Sequence, residues 1–221
     1  FSLGIGKDGL AGYPLIDVYL TGKELKLAAE VDASVSDFMT TARLYCSGLN
    51  FTFNPHRMIL NKVTDCYLTR EDGERIEIQD DQLYRVVTDL YTGQMLGSVM
   101  EMSYGLLKIE PKDKDGNPIE NLEDQAIMEG DKELKAWDAI ARYMKSFDDT
   151  DGNGISNVPE YYETTHGRKV VDESRNVIDL VKNPNKFSVM IVGIGLVLIL
   201  IIILLVVLIR KLIKKRRRKK K

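Results

Sequence analysis

Histidine is nearly missing from this chain: its 221 residues hold two, His56 and His166. Neither stands in a metal-ligand spacing such as H-x-H or H-E-x-x-H. There is no G-x-x-x-x-G-K-[ST] phosphate loop, no G-x-S-x-G elbow and no Cys/His pairing. Carboxylates are plentiful, but on an acidic surface most are simply solvated, so these residues alone are expected to catalyse nothing. Cysteine is scarce too. Cys46 and Cys66 are too few for a disulfide framework. They fall on the two arms of an expected hairpin, which leaves both a cross-strand bridge and two buried free thiols open.

Charge and proline are absent from residues 187–209, an apolar run of 23 residues. As a helix it would span roughly 34 Å, enough to cross a hydrocarbon core of about 30 Å with modest tilt. Ten of the next twelve residues, 210–221, are Lys or Arg. That flank stops transfer and predicts a cytoplasmic tail by the positive-inside rule. The reading is a single-pass protein of the cell membrane. Residues 1–186 lie outside and the polybasic tail inside, a stop-transfer anchor that anionic lipid of the inner leaflet would also attract. Without the tail's ten basic residues, 21 Lys and Arg face 33 Asp and Glu, a balance of −12. Such an outer domain argues against a nucleic-acid polymer as partner, because phosphate backbones need a basic surface. An outside domain needs an export signal, and none opens the sequence at Phe1. The chain is therefore expected to be the carboxyl-terminal part of a longer secreted precursor.

The pattern along residues 1–147 predicts one α+β domain with a mixed sheet, because strands and helices follow no regular β-α-β alternation. Pro14–Leu20 reads as a strand. A helix follows, opened by the capping-box pair Thr21 and Glu24, with Leu25, Ala28, Ala29 and Val35 on one side. Arg43–Phe53 and Met58–Thr69 read as paired strands around Asn54-Pro55-His56-Arg57. Asp72-Gly73 turns into Arg75–Gln79, and Tyr84–Thr88 is another strand. Thr92–Met102 reads as a helix and Leu106–Glu110 as a strand. Asp131–Phe147 reads as a helix with Leu134, Trp137, Ile140, Ala141, Met144 and Phe147 toward the core. Arg168–Val171 reads as a last strand. Residues 148–186 form an acidic loop and juxtamembrane linker.

One loop has the spacing of a cation site. Asp149, Asp151, Asn153, Ile155 (through its carbonyl) and Glu160 follow D-x-[DN]-x-[DN]-G-x5-E, with Gly154 at the sharp turn. Ca²⁺ takes six to eight oxygens from a loop that curls around it, and this spacing provides that curl. Ser156 stands where an apolar residue is usual, and Pro159 opposes a helix starting there. The Lys112–Pro118 stretch has a similar opening, but Pro118 replaces the required glycine, so it reads as a hairpin turn.

Several segments taken in order resemble a known family. These are Tyr19-Leu20-Thr21-Gly22-Lys23-Glu24-Leu25-Lys26, then Tyr45-Cys46-Ser47-Gly48-Leu49 through Phe53-Asn54-Pro55, then Leu83-Tyr84-Arg85-Val86-Val87. They resemble the carboxyl-terminal domain of 5′-nucleotidases, a family that includes UDP-sugar hydrolases and 2′,3′-cyclic-nucleotide 2′-phosphodiesterases. The likeness extends over residues 1–147 and is greatest to cell-surface versions from Gram-positive bacteria. The resemblance implies an amino-terminal metallophosphoesterase domain, outside these residues, in which a divalent metal pair activates water. It also implies that the present domain supplies the nucleotide or nucleoside pocket, with a base stacked between aromatic rings. The two loops that carry those rings in the family correspond to 2–6 and 90–97, and neither keeps its aromatic in place. Phe1, Leu3, Gly4, Tyr91, Gln94 and Met95 are the resulting pocket candidates, with Tyr91 or Phe1 offering a ring from nearby. A reading from another class is a membrane-tethered, Ca²⁺-dependent binding or adhesion module without catalysis, supported by the Asp149–Glu160 loop.

Overall fold

A computed structural model describes residues 4–36, 38–39, 43–103 and 107–219. Its centre is β1 (Leu15–Thr21), whose alternation puts Ile16, Val18 and Leu20 inside at 0, 1 and 3% exposure. Successive strand residues point to opposite faces, so Asp17 and Tyr19 are turned the other way. β1 pairs antiparallel along its length with β5 (Leu83–Asp89), from Leu15 opposite Asp89 to Thr21 opposite Leu83. Arg85 braces this pair through a forked bond to the Asp17 carboxylate.

The chain turns directly from β1 into α1 (Gly22–Val35). The capping box is present as expected: Thr21 Oγ1 accepts from the Glu24 amide, and the Glu24 carboxylate accepts from the Thr21 amide at 2.8 Å. One side of α1 buries Leu25, Ala28 and Val31 with Leu20, Leu107, Ile109 and Phe187. Another side buries Ala29 and Ala33 against Phe51 of the second sheet. That sheet is made of β2 (Leu49–Phe53), β3 (Val63–Thr69), β4 (Arg75–Glu77) and β8 (Lys169–Val171), in the order β4-β3-β2-β8. It is mixed, because β8 lies parallel to β2 while the other pairs are antiparallel. Buried Glu30 pins α1 to the sheet by accepting from the Lys62 and Val63 amides at 2.6 and 2.8 Å.

β5 runs straight into α2 (Leu90–Met102), which starts two residues before the expected Thr92. Asp89 is the reason: its carboxylate accepts from the Thr92 amide and hydroxyl, at 3.0 and 2.7 Å, and so caps the helix. Next come a two-residue hairpin, β6 (Met128–Glu129) and β7 (Lys132–Glu133), then α3 (Ala136–Lys145), α4 (Val177–Val181) and the long α5 (Lys186–Lys219). Among the described residues, α5 is the one helix long and apolar enough to cross a membrane.

The α+β expectation holds, and three local expectations do not. The expected helix over Asp131–Phe147 starts at Ala136, because Gly130 at φ +64° turns the preceding residues into the hairpin. Its apolar stripe is not core: Trp137, Ile140 and Met144 are 44, 56 and 49% exposed. The expected strand at Leu106–Glu110 is absent over its described part, residues 107–110. Leu107 and Ile109 are buried as alternation predicts, but the Glu110 amide bonds to the Glu24 side chain and not to a strand. The β2–β3 hairpin is shorter than expected, since residues 43–48 and 54–62 are irregular. Both cysteines are free thiols. Burial pushes the Cys66 thiol up to about 12, so it stays protonated at neutral pH.

Candidate functional site

At the Leu15 end of β1, a glycine-rich loop over residues 4–14 folds back on itself. The Gly6 amide donates to Leu10 O and the Gly12 amide to Gly4 O, at 2.9 and 2.7 Å. An ion triad fixes the loop from beneath. The Lys135 ammonium, 2% exposed, lies 3.0 Å from Asp8 Oδ1 and 2.5 Å from Glu133 Oε2. The Glu133 amide donates to Asp8 Oδ2 and the Lys7 amide to Glu133 Oε1. Burial works against charge here, pulling Lys135 down and Asp8 up. Bonds outweigh it: the Leu10 amide and then the triad hold Asp8 below its ordinary value, and the Glu133 and Asp8 carboxylates hold Lys135 above its own. A Cβ on Gly6 would collide with the Glu133 carboxylate and the Lys135 ammonium, and one on Gly12 would stand 2.7 Å from the Trp137 ring. Only glycine lets this backbone lie so close to the triad and the indole. Trp137 closes the loop from outside, its Nε1 donating to Ala11 O at 3.0 Å.

The start of α2 faces this loop. Gly93 allows the approach, since a Cβ there would sit 2.7 Å from Ile16 Cδ1. Between the loop and the helix lies a cleft of about 160 Å³, walled by Gly4, Gly6, Lys7, Tyr13, Leu90 and Gln94 and floored by Glu133. Tyr91 leans on Tyr13 with ring centres 5.6 Å apart and planes at 37°, and remains 43% exposed. Pockets that enclose a small ligand usually measure about 300–1,000 Å³. This cleft is smaller than that.

The structure thus brings together two of the pocket candidates, Gly4 and Gln94, from segments some ninety residues apart in sequence. Tyr91 stands beside the cleft through Tyr13, while Met95 is half-buried on α2 and does not line it. Phe1 and Leu3 lie outside the described residues. Tyr13, Lys7 and Glu133 are additions that the sequence pattern does not single out. Tyr13-Pro14 at the strand entrance is a usable local signal for the first. Glu133 has none, because its place depends on the hairpin.

The second candidate site is the loop after α3. The Asp149 carboxylate accepts from the Gly152, Asn153 and Gly154 amides at 2.8, 3.2 and 2.8 Å. These donors, Gly154 foremost, hold its carboxyl below the ordinary aspartate value. The Asp151 carboxylate accepts from the Asn153 amide, and Asn153 Oδ1 accepts from the Ile155 amide. Glu160 opens an exposed 3₁₀ turn. Among the described residues no three His, Cys, Asp or Glu side chains converge on one point.

Comparison with known proteins bears on the β1–α2 region first. Residues 11–103 match the sequence profile of the 5′-nucleotidase C-terminal domain. No curated protein sequence matches the chain. Among solved structures, a 5′-nucleotidase precursor from Thermus thermophilus is 19% identical over 74% of this chain and 26% of its own, with a TM-score of 0.47. The NAD nucleotidase of Haemophilus influenzae is 21% identical over 46% and 19%, with a TM-score of 0.33. The chain therefore spans about a quarter of the first protein's length and about a fifth of the second's.

Proposed function

We propose, from the match of residues 11–103 to the 5′-nucleotidase C-terminal domain, that the chain is the nucleotide-recognition part and membrane anchor of an extracellular phosphohydrolase. The observation that carries this reading is the cleft, where the two segments that the resemblance assigns to pocket loops meet beside the Tyr13–Tyr91 pair. A nucleobase offers a π-face to any ring, so Tyr13 is its natural stacking partner. Lys7 at the wall offers a cation to the phosphate in exchange for its surface pair with Asp124. The open side of the cleft fits a site completed by a second surface, which in this reading belongs to a metallophosphoesterase domain with its divalent metal pair. That pair would supply activated water. The present residues bind and orient.

The test is a titration of the full chain in nanodiscs with adenosine or uridine at about 10 mM, enough to fill a site as weak as about 1 mM. The amide resonances of Gly4, Tyr91 and Gln94 should shift, and Tyr13→Ala should abolish the shift. Silence at all three would overturn the pocket.

For the Asp149–Glu160 loop we propose Ca²⁺ binding through Asp149, Asp151, Asn153, the Ile155 carbonyl and Glu160. Support comes from the spacing and from Gly152 and Gly154, both at positive φ, which curl the loop. Chelator should lower the melting temperature of the full chain and calcium should restore it. No change would reject the site. For location, we propose that α5 crosses the cell membrane with the domain outside and the basic tail inside.

A further inference from the structure

The start of α5 belongs to the domain. Phe187 is 4% exposed within the cluster of Leu20, Leu25, Val31 and Ile109, and Ser188 is 5% exposed. From Val189, 61% exposed, the helix leaves the protein. Residues 189–209 make about 31 Å of helix at 1.5 Å per residue, against a hydrocarbon core of about 30 Å. If α5 spans the membrane, no spare helix separates the domain from the bilayer. The surface around its exit must therefore meet the headgroups.

That surface has an unusual composition. α4 carries Val177, Ile178 and Val181 at 72, 69 and 66% exposure, and Ile59 on the neighbouring loop is 46% exposed. Val177 and Val181 are one turn apart with Ile178 beside them, so the three share one side of the helix. Only residues 182–185 connect α4 to α5, a reach of at most about 14 Å. The backbone that carries them is also held in place. Buried Arg57 donates to Asn61 O at 2.7 Å, to Asp179 O at 2.5 Å and to Lys182 O at 2.6 Å, clamping both the loop and α4. Asn185 Nδ2 donates to Leu60 O, and Asn54 Nδ2 to Ser174 O. Asp179, the acidic residue of α4, is turned to the Ser174 hydroxyl. Exposed Arg175, Lys182 and Lys186 flank α4 in sequence, with exposed Asp172 and Glu173 before them, and the cations suit anionic lipid. A rigid aliphatic patch beside a helix long enough to span a membrane has the make-up of an interfacial contact.

We propose that the face formed by Ile59, Val177, Ile178 and Val181 lies in the headgroup–acyl boundary of the bilayer that α5 crosses. The domain is then seated on the membrane in one pose and does not swing on a tether. This rests on reading α5 as the span, and the two claims come apart experimentally. The full chain, with Trp137→Phe as background, would be placed in phosphatidylcholine–phosphatidylglycerol vesicles whose acyl chains carry bromine either near the glycerol or near mid-chain. Single reporters would be Ile178→Trp, Ile59→Trp and Leu198→Trp; all three sites are exposed, so folding is not at stake. The unmodified protein reports from Trp137. That residue packs on Ala11 and Gly12, beyond the opposite end of β1 from Leu20.

Leu198→Trp should be quenched by mid-chain bromine. Ile178→Trp and Ile59→Trp should lose most of their emission to shallow bromine, well beyond any loss at Trp137. Quenching at Leu198 with none at Ile178 and Ile59 would overturn the seat and leave the span standing. Emission from Ile178→Trp that is blue-shifted yet unquenched would mean a second copy or another domain covers the face, which also overturns it. No quenching at Leu198 would remove the span and the seat together.

Discussion

The two ends of β1 are held in place by different forces. At the Leu20 end, seven buried apolar residues from β1, α1, the 107–109 segment and α5 pack together. At the Leu15 end the cluster shrinks to Ile16, Val18 and Leu90, and shape passes to directional bonds: a folded glycine loop over the Lys135–Asp8–Glu133 triad. Apolar packing tolerates small displacements and ignores pH, whereas ion pairs and close glycine contacts fix atoms to tenths of an ångström. Under the proposed reading the anchor end needs strength, and the cleft end needs placement, with main chain and charged groups kept close to where a ligand would lie. Seven residues of strand, about 23 Å, separate the two requirements, so each can be broken alone.

The largest effect should come from Phe187→Ala. Removing a buried phenylalanine costs about 3–5 kcal/mol through lost transfer energy and the cavity left behind. In nanodiscs, amide exchange should accelerate most in α1 and the Leu20 half of β1, and least at Gly6 and Gly12. Equal acceleration at both ends would merge what the comparison separates. Lys135→Met should cost about 3 kcal/mol, because it leaves carboxylates buried without their cation. Its damage should stay at the 4–14 loop and abolish the nucleoside shifts while α1 keeps its protection.

The same triad sets a pH window. Lys135 titrates above its ordinary 10.5 in the fold, so its contribution is complete below that pH and is lost as pH rises through the raised value. Asp8 titrates below its ordinary 3.8, so its contribution is complete above that pH and is lost as pH falls through the lowered value. The Gly6 and Gly12 amide shifts should therefore stay flat between those limits and move outside them. Gly6→Ala should cost about 1–3 kcal/mol, since the new methyl forces the triad apart. Gly97→Ala should gain about 0.5–1 kcal/mol, because that helical position has open space around it.

How much of this is readable from the sequence follows from how local each cause is. The β1 alternation and the Thr21–Glu24 cap are legible because each is settled within a few residues. The pattern starts helix α3 too early because Leu134 continues its apolar period, and the residue that decides otherwise, Gly130, acts through a two-residue hairpin. Its stripe of Trp137, Ile140 and Met144 shows that periodicity marks a face without telling whether anything covers it. The 107–110 segment misleads for another reason: its amides go to side chains, Leu107 to the Ser103 hydroxyl and Glu110 to Glu24, 86 residues away. The cleft is half legible. Gly4 and Gln94 follow from resemblance, whereas Glu133 enters through ion pairs that no local pattern encodes.

A further small effect is expected where β1 passes into α1. Glu24 divides its carboxylate there: Oε2 accepts from the Thr21 amide and hydroxyl at 2.8 and 2.7 Å, and Oε1 from the Glu110 amide at 3.1 Å and Lys112 Nζ at 2.6 Å. Thr21→Ala removes the hydroxyl but leaves every other partner, so it should cost about 1 kcal/mol in thermal unfolding, and Thr21→Ser should recover most of it. Burial raises the Glu24 carboxyl, but Lys112 and the Thr21 donors lower it further, leaving it below 4.5. The cap's share of stability is thus present above that pH and fades as pH falls through the lowered value, and the penalty of Thr21→Ala should fade with it. A penalty that stayed constant into acid would mean the threonine acts by packing against the anchor-end core, and the line between a packed end and a bonded end would have to be drawn elsewhere.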